Sequence, residues 1–252
     1  MSLFEAFNLG QGFRKYFRIE AASSTDVRDE VFRVRHEVYC EELGFEPVRP
    51  DRRETDAYDA HSIHCLLRTS NEPSHPVGCA RLVLADPRDP AAPLPFEKAC
   101  AATLDRSIID PSKLHRGKIA EVSRLAVRSH FRRRKGEKQT AVAIQDEDFG
   151  STEQPRFPYI PIGLYLGAVA MAKRRGIETL FVLTEPRLQS HFAKLGVKIK
   201  QIGEPVEHRG TRIPSMMDVD SIIKGLRFLV KPVWTVVQEE IAATDTEVQR
   251  TS

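Results

Sequence analysis

A glutamate stands in the middle of an otherwise apolar segment, and this placement limits how the chain can fold. Residues 118–127 read KIAEVSRLAV, so Glu121 interrupts a run that is otherwise typical of a buried strand. An ionised side chain is almost never fully buried unless it is paired or has a chemical role. Glu121 is therefore predicted to lie in a site rather than in a plain core strand.

Other charged and aromatic residues recur beside apolar segments in the first half of the chain. They are Arg35, Tyr39, Phe45, Asp56, Asp59, Arg81, Ser123 and Arg124. Carboxylates and guanidinium groups at short range neutralise one another and fix the loops that carry them. Each charged residue could have either a structural role or a direct contact with a substrate. The aromatic residues lie at the end of an amphipathic helix, a position that also suits core packing.

Composition narrows the function. A chain of 252 residues with 41% hydrophobic content is long enough to bury a substantial core, and one domain is favoured over two. The net charge of +3 does not suggest a bulk nucleic-acid binder. The apolar stretch 160–172 contains Pro161, Gly163 and Gly167 and is shorter than the roughly 20 residues that span a bilayer. We expect no transmembrane segment.

The cysteines and the start of the chain point to a reducing compartment. Cys40, Cys65, Cys79 and Cys100 form no CxxC pair and no metal-ligand spacing. The first residues, MSLFEAFNLG, lack a basic start followed by an apolar core. A cytoplasmic location, no metal and no tightly bound cofactor are therefore expected.

Hydrophobic periodicity predicts an α+β fold of three layers. The predicted strands cover 16–21, 62–69, 76–85, 118–127, 179–185 and 197–203, and the predicted helices cover about 25–43, 96–104, 162–176 and 186–196. The turn residues 71–75 make a hairpin of the second and third strands. This order predicts a mixed, mostly antiparallel central sheet flanked by helices.

The predicted boundaries leave one main domain. Residues 1–204 form it, and the polar stretch 137–158 reads as an insertion or mobile loop. Residues 205–242 read as a helical extension, broken at Pro232, that packs on the same domain. Residues 243–252 read as a disordered tail. Core packing of the extension is favoured over membrane attachment, since Lys224, Arg227 and Lys231 are few for an anchor.

Four short motifs in register carry a family resemblance. They are R-x3-Y-x5-F from Arg35, D-x2-D from Asp56, G-x2-RL from Gly78 and E-x-SR from Glu121. With them the chain resembles the Gcn5-related N-acyltransferase superfold, whose fold is acyl-CoA N-acyltransferase-like. It looks more closely similar to the acyl-homoserine-lactone (autoinducer) synthases and to the long-chain N-acyl amino acid synthases, including acyltransferases linked to exosortase (PEP-CTERM) systems.

The resemblance covers about residues 16–203 and favours the amino acid branch. Autoinducer synthases usually carry Trp where this chain has Phe45, which puts a homoserine-lactone product in doubt. The later segments TEPRLQSHFAKLG and IGEPVEHRGTRIP look more like the N-acyl amino acid synthases. The resemblance implies that the strands at 118–127 and 179–185 splay apart and that the first of them holds a thioester.

The resemblance also implies a role for each motif residue. Glu121 and Arg124 are implied as catalytic, with Glu121 as a general base acting directly or through water. A structural ion pair of Glu121 with Arg124 or Arg81 is the alternative. The implied substrate-binding residues are Arg35, Tyr39, Phe45, Asp56, Asp59, Arg81 and Ser123.

A basic run after the fourth strand bears on the acyl donor. Its members are Arg128, Arg132, Arg133, Arg134, Lys135 and Lys138. Transferases that use coenzyme A usually carry R/Q-x-x-G-x-G/A, whose amides cradle pyrophosphate, whereas here Lys138 replaces the second small residue after Gly136. Long cations near a pantetheine entrance suit an acidic acyl carrier protein. A merely solvated basic turn is the alternative.

These observations predict an N-acyltransferase that moves a fatty acyl group to the amine of an amino acid or similar small molecule. The predicted donor is the acyl-phosphopantetheine thioester of acyl carrier protein. Two alternatives stay open: an acyl-CoA-dependent N-acetyl- or N-acyltransferase, and a catalytically inactive sensor of acyl compounds. The sequence leaves the acyl length, the amine and the oligomeric state open.

Overall fold

A mixed β-sheet forms the centre of the molecule. The structure is a computed structural model that describes residues 3–132, 159–186 and 192–246. The strands in the described residues are β1 Phe17–Ala21, β2 Ser62–Thr69, β3 Pro76–Val83, β4 Ile119–Val127, β5 Thr179–Thr184, β6 Lys200–Gln201, β7 Val206–Glu207 and β8 Thr211–Asp218. The helices there are α1 Leu3–Tyr16, α2 Thr25–His36, α3 Pro95–Ala99, α4 Tyr159–Arg174, α5 Val219–Gly225 and α6 Lys231–Thr244.

The order of the strands confirms the predicted fold class. Along the sheet the order is β1-β2-β3-β4-β5-β8-β6, and β7 pairs with β8. The predicted hairpin is β2 and β3, which pair antiparallel. Only β4 and β5 pair in parallel within the described sheet. The sheet is therefore mixed and mostly antiparallel, with helices on both faces.

Helix α2 begins at a serine cap and ends in a wider turn. The Ser24 side chain accepts a hydrogen bond from the Val27 backbone N–H, which satisfies one of the unpaired amides of the first turn. From Glu37 to Glu42 the helix continues as a π-helix. Gly44 then adopts a φ of 65° and ends the segment, as the sequence predicts.

Helix α4 lies on the opposite face of the sheet and is apolar nearly all round. Such a helix must be covered on all sides, and here the sheet covers one side while α1 and α6 pack nearby. Two glycines permit the close approach: a Cβ at Gly167 would lie 2.5 Å from Ile19 Cδ1, and one at Gly163 would lie 2.6 Å from the Phe13 ring. No helix in the described residues is long and apolar enough to cross a membrane.

The edge strand β1 is covered by α6. Glu240 accepts a hydrogen bond from the Ile19 N–H at 2.9 Å, and Thr244 Oγ1 accepts one from the Ala21 N–H, also at 2.9 Å. An uncovered edge strand presents unpaired amides that recruit other strands. Because side chains of α6 accept hydrogen bonds from these two amides, the amides are not free to pair with another strand.

The prediction of a purely helical extension over 205–242 is wrong. Residues 211–218 form β8, which lies between β5 and β6 in the sheet. Pro214 sits inside this strand, opposite Leu183, and a proline inside a run argues against a strand when only the sequence is read. The helices of this part are α5 and α6, and Pro232 lies in the first turn of α6, where its missing N–H costs no helical bond.

Other parts of the prediction differ from the structure or fall outside the described residues. Helix α1 was not predicted. The predicted strand over 197–203 is reduced to β6, and before it the Val197 N–H donates to the Phe192 carbonyl instead of to a strand. Residues 137–158, residues 187–191 of the predicted helix at 186–196 and residues 247–252 of the tail lie outside the described residues.

Candidate active site

A buried network of ion pairs occupies the sheet face that α2 covers. Arg35 is fully buried on α2. Its Nε lies 2.5 Å from Glu54 Oε2, and its Nη1 and Nη2 donate to the two carboxylate oxygens of Asp59 at 2.6 and 3.1 Å. The guanidinium therefore ties helix α2 to the loop before β2.

Arg81 extends the network across the sheet. Its Nη1 donates to Asp56 Oδ1 at 2.7 Å and to Asp59 Oδ1 at 3.0 Å, and its Nε donates to Ser123 Oγ at 3.1 Å. Asp56 and Asp59 also form a capping box around the short 3-10 helix Ala57–His61. The D-x2-D motif thus shapes its own loop and binds the β3 arginine at the same time.

Arg124 completes the network from a bulged position on β4. Its φ of 48° lies in the left-handed region, and the pairing of β4 with β3 shifts register nearby. Its Nη2 lies 3.1 Å from Glu54, 3.3 Å from Glu46 and 3.2 Å from Asp56. The bulge turns this side chain toward the loop over residues 46–56.

Charge in the core of the network balances. The arginines Arg35, Arg81 and Arg124 face the carboxylates Glu54, Asp56 and Asp59. Burial by itself would raise the pKa of Glu54, but the charges of Arg35 and Arg124 outweigh it and lower the pKa to about 2. Burial also acts to raise the pKa of Asp59, but its hydrogen bond to Arg35 and the charges of Arg35 and Arg81 outweigh burial and lower the pKa. Glu54 was not predicted, since it lies in the polar stretch RRETD.

The low pKa of Glu54 predicts a specific loss of stability in acid. Its folded-state pKa of about 2 lies below its ordinary 4.5, so its contribution is complete above pH 4.5 and disappears as the pH falls toward 2. We expect the urea midpoint to fall steeply across this window. In Glu54→Gln the midpoint should be lower at neutral pH and should change less across the window. An equally steep fall in the variant would contradict this assignment.

The two aromatic residues of the first motif have different surroundings. The Tyr39 hydroxyl donates to the Leu125 carbonyl at 3.1 Å, and the Arg124 guanidinium lies over its ring at 5.4 Å. Burial raises the pKa of Tyr39 to about 12. Phe45 packs against the apolar cluster beneath α2. Tyr39 therefore supports a network arginine, and Phe45 has a packing contact.

Glu121 stands apart from the ion pairs. It is 3% exposed, and its Oε2 accepts the Phe96 backbone N–H at 2.7 Å. Burial raises its pKa to about 7, although the Phe96 N–H and the charges of Arg81 and Arg124 act in the opposite direction. Within the described residues it forms no ion pair with either arginine.

The strands beside Glu121 pair over only part of their length. Strands β4 and β5 pair as far as Val122 and Val182. Strand β4 continues to Val127 and β5 to Thr184 without further pairing between them. Glu121 lies one residue before this fork, opposite Phe181. The ring of Phe181 stacks on Phe96 at 4.4 Å, so an apolar wall flanks the carboxyl group.

The basic run is only partly described. Arg128 Nε lies 2.9 Å from both carboxylate oxygens of Glu37, and Arg132 pairs with Glu42. These two arginines therefore fasten the end of β4 to the π-helix. The other members of the run, Arg133, Arg134, Lys135 and Lys138, lie outside the described residues.

The described residues contain no group of three or more His, Cys, Asp and Glu side chains placed to hold a metal ion. The four cysteines are buried and free. Burial raises the pKa of Cys65 and of Cys79 to about 12, so both thiols are protonated at neutral pH.

Comparison with known proteins places this site in a known domain. Residues 34–141 match the family model described as "Acetyltransferase (GNAT) domain". This span includes the ion-pair network, Glu121 and the β4 side of the fork. No curated protein sequence matches the chain. The domain match and the fold together support an acyltransferase with a domain similar to the GNAT type.

Solved structures with the same fold include an acyl-homoserine lactone synthase and an N-acyl amino acid synthase. TofI, crystallised with an inhibitor and MTA, has a TM-score of 0.56 at 21% identity over 84% of this chain and 95% of its own. The CoA-dependent acyl-homoserine lactone synthase BjaI, with SAM and isopentyl-CoA, has 0.55 at 20% over 86% and 89%. FeeM, an N-acyl amino acid synthase from uncultured soil microbes, has 0.52 at 14% over 83% and 95%. At these identities the likeness establishes the fold.

Proposed function

We propose that this protein transfers a fatty acyl group from the thioester of acyl carrier protein to the amine of an amino acid or similar small molecule. The observation that carries the proposal is a carboxyl group with a pKa of about 7, held one residue before the fork of β4 and β5. A fork exposes backbone groups of one strand to a thioester, and a base with a pKa near the working pH transfers protons efficiently.

The reaction requires only a small free-energy contribution from Glu121 as a base. In the transfer the amine nitrogen forms a bond to the thioester carbon, the carbon–sulfur bond breaks, and the amine proton passes through Glu121 to the departing thiolate. An α-amino group with a pKa near 8 is neutral in roughly a tenth of molecules at pH 7, so its deprotonation costs only about 1.4 kcal/mol. Donors to the oxyanion supply about 3 kcal/mol each.

The ion-pair network supports the site from below and at its rim. We propose that Arg81, Ser123 and Arg124 border the acceptor, with Arg124 acting next to the reacting atoms. Arg35 and Asp59 form an ion pair, and their side chains are almost completely buried. They would therefore hold the loop before β2 in place beneath the site. Tyr39 and Phe45 complete the floor of the site through packing.

The proposed donor depends on the basic run. Because Arg128 and Arg132 are bonded to Glu37 and Glu42, the remaining cations of the run carry the proposed attraction for an acidic carrier protein. The second candidate is acyl-CoA. BjaI and MesI, which share the fold, are described as CoA-dependent synthases, and this favours testing both donors together.

A release assay separates the donors. Purified protein receives acyl carrier protein or coenzyme A charged with the same fatty acid, together with a panel of amines. We expect amine-dependent release of free thiol with the carrier, and at least about tenfold lower kcat/KM with the coenzyme A ester, because steering raises encounter rates by about that factor or more. The preference should shrink at high salt.

The same assay tests the alternatives. Faster release from coenzyme A than from the carrier would replace the proposed donor. No release from either donor with any amine, across acyl lengths, would favour a sensor without turnover. A reaction without the protein serves as the background control in each arm.

A further inference from the structure

The connection between α5 and α6 is basic and carries an exposed aromatic ring. Residues 221–238 contain no Asp or Glu, and their cations, Lys224, Arg227 and Lys231, are all exposed. Among these cations Phe228 is 53% exposed, which makes it one of the few large apolar side chains that the described residues leave in solvent. We call these four side chains the basic corner.

The positive charges of the basic corner are not neutralised by carboxylates along the chain. Within the described residues its cations form no ion pair. The nearest carboxylates in the sequence on either side already have partners, since Asp220 is bonded to Lys173 at 2.7 Å and Glu239 to Arg14. Lys224 contributes to the lowered pKa of Asp220, but after Lys173 and without a salt bridge of its own. The corner therefore keeps a positive field for a partner of negative charge.

The segment that packs against the basic corner brings no carboxylate either. The Arg227 N–H donates to the Leu195 carbonyl at 3.0 Å, and a Cβ at Gly196 would collide with the Gly225 carbonyl oxygen. This neighbouring segment, residues 192–203, contains three lysines and no Asp or Glu, and two of the lysines are exposed. The surface around the corner is therefore positive as well.

The apolar side chains next to Phe228 are already used in the core. Leu226, Val230 and Val233 are buried and belong to the large core cluster that contains α4. Trp234, one turn into α6, is only 8% exposed. Helix α6 therefore has no free apolar face to lay on another surface, and the Phe228 ring is the apolar group that the corner offers. A contact made by this corner is shallow.

The basic corner lies toward the end of the sheet at which the fork opens. Pro232 of α6 and Tyr159 of α4 both pack against residues 10–12 of α1, so α4 and α6 begin side by side. Leu164 of α4 reaches the β3 residue that is paired with Val127, the last residue of β4. Because α4 begins at this end of the sheet, the corner before α6 lies at the same end.

We propose that the basic corner rests on the surface of an anionic phospholipid bilayer, with Phe228 between the headgroups and the three cations facing the phosphates. A cation beside an anionic membrane strengthens binding about fivefold, and withdrawal of the exposed half of a phenylalanine ring from water contributes a similar factor. The resulting contact is weak and reversible. It does not depend on acyl transfer, and it keeps the open end of the fork close to the bilayer.

Co-sedimentation of the full chain with lipid vesicles tests the proposal. The probe is a vesicle of equal parts phosphatidylglycerol and phosphatidylcholine, compared with a vesicle of phosphatidylcholine alone. We expect binding to the anionic vesicle to be at least about tenfold tighter, with the difference lost at high salt. Lys224→Gln, Arg227→Gln, Lys231→Gln and Phe228→Ser should each weaken binding to the anionic vesicle about fivefold.

Two substitutions on the other face of the sheet provide matched controls. Lys113→Gln removes one positive charge from a side chain that is 81% exposed, and Ile108→Ser removes an exposed apolar side chain. Both lie between α3 and β4, a segment that packs on the cluster of Phe96 and Phe181. Neither should change vesicle binding. The melting temperatures of the corner variants should match that of the wild type, because the four side chains are exposed.

The single tryptophan reports whether the corner itself meets the lipid. Trp234 is the only Trp of the sequence and lies one turn beyond Lys231. Anionic vesicles whose acyl chains carry bromine should quench its fluorescence in the wild type and much less in Phe228→Ser. Binding without quenching would place the lipid against another surface, and the inference would be wrong.

Other contrary outcomes identify what the corner does instead. Equal binding to both kinds of vesicle, or none to either, would overturn the inference. Unchanged binding in a variant with all three cations replaced would assign the attraction to another basic surface. If the corner variants bind vesicles normally but release thiol more slowly from charged acyl carrier protein, the corner docks the carrier. If they bind vesicles normally but lose a dimer seen in the wild type, it docks a second copy.

Discussion

Glu121→Gln is expected to lower acyl transfer by about tenfold to a thousandfold, because the amine loses its proton acceptor. The glutamine side chain keeps an oxygen for the Phe96 N–H, so the position of α3 should be maintained. In the wild-type protein, transfer should increase as the pH rises through about 7, where Glu121 loses its proton. The variant should lack this inflection. Initial rates across pH, at saturating donor, measure both effects.

The same substitution is expected to stabilise the fold at alkaline pH. The folded-state pKa of about 7 lies above the ordinary 4.5, so between these values the folded state binds more protons than the unfolded state. The free energy of unfolding therefore falls as the pH rises through this window. Neutral glutamine avoids that penalty, so the variant should be more stable by about 3 kcal/mol at about pH 8 and nearly equal at pH 4.5.

Glu97→Gln provides the matched control. Glu97 is a neighbouring buried carboxylate that pairs with Arg116 at 2.9 Å and caps the Leu94 N–H. Its loss should reduce stability and leave most of the transfer activity. Unchanged turnover in Glu121→Gln would remove Glu121 from the mechanism, and a loss of stability at alkaline pH would show that its carboxylate is better solvated than its burial indicates.

Arg35→Met is expected to destabilise the protein by about 3–5 kcal/mol, because it leaves buried carboxylates without their partner. Glu54 and Asp59 each keep one other arginine, Arg124 or Arg81, but the balance of charge in the network is lost. For a protein of this size the melting temperature should fall by roughly 6–20 °C. Thermal unfolding followed by circular dichroism measures the change.

The neighbouring residue Arg33 supplies the control on the same helix. Arg33 pairs with Asp29 at the surface, and its side chain is 67% exposed. Arg33→Met should change stability by less than about 0.5 kcal/mol, since exposed pairs contribute little. Equal effects of the two substitutions would mean that the buried network contributes no more than a surface pair.

The strand that carries Glu121 was predictable because a charge inside an apolar run is rare and specific. The motif residues Arg35, Asp56, Asp59 and Arg81 were predicted because their spacing repeats a family pattern, and the fold brings them together. Glu54, which pairs with Arg35 and Arg124, was not found, because its neighbours read as an ordinary polar loop. Only the fold turns that loop inward, where the Glu54 N–H donates to the Phe32 carbonyl.

Two elements were missed because local propensity opposes them. Helix α1 contains Gly10 and Gly12, which weaken a helix, yet a Cβ at Gly10 would lie 2.9 Å from the Pro232 carbonyl oxygen. The glycine is needed for contact with α6, which the sequence does not reveal. Strand β8 contains Pro214 and is held by its neighbours on both sides. Tertiary contacts decided both cases.

The contact between α6 and β1 covers the edge of the sheet. Glu240 and Thr244 occupy backbone amides of β1 that face away from the sheet. Without α6 those amides would be free to join a strand from a second molecule, and the sheet would grow by copying itself. The last described helix therefore blocks strand pairing at the β1 edge, a role separate from any chemistry at β4 and β5.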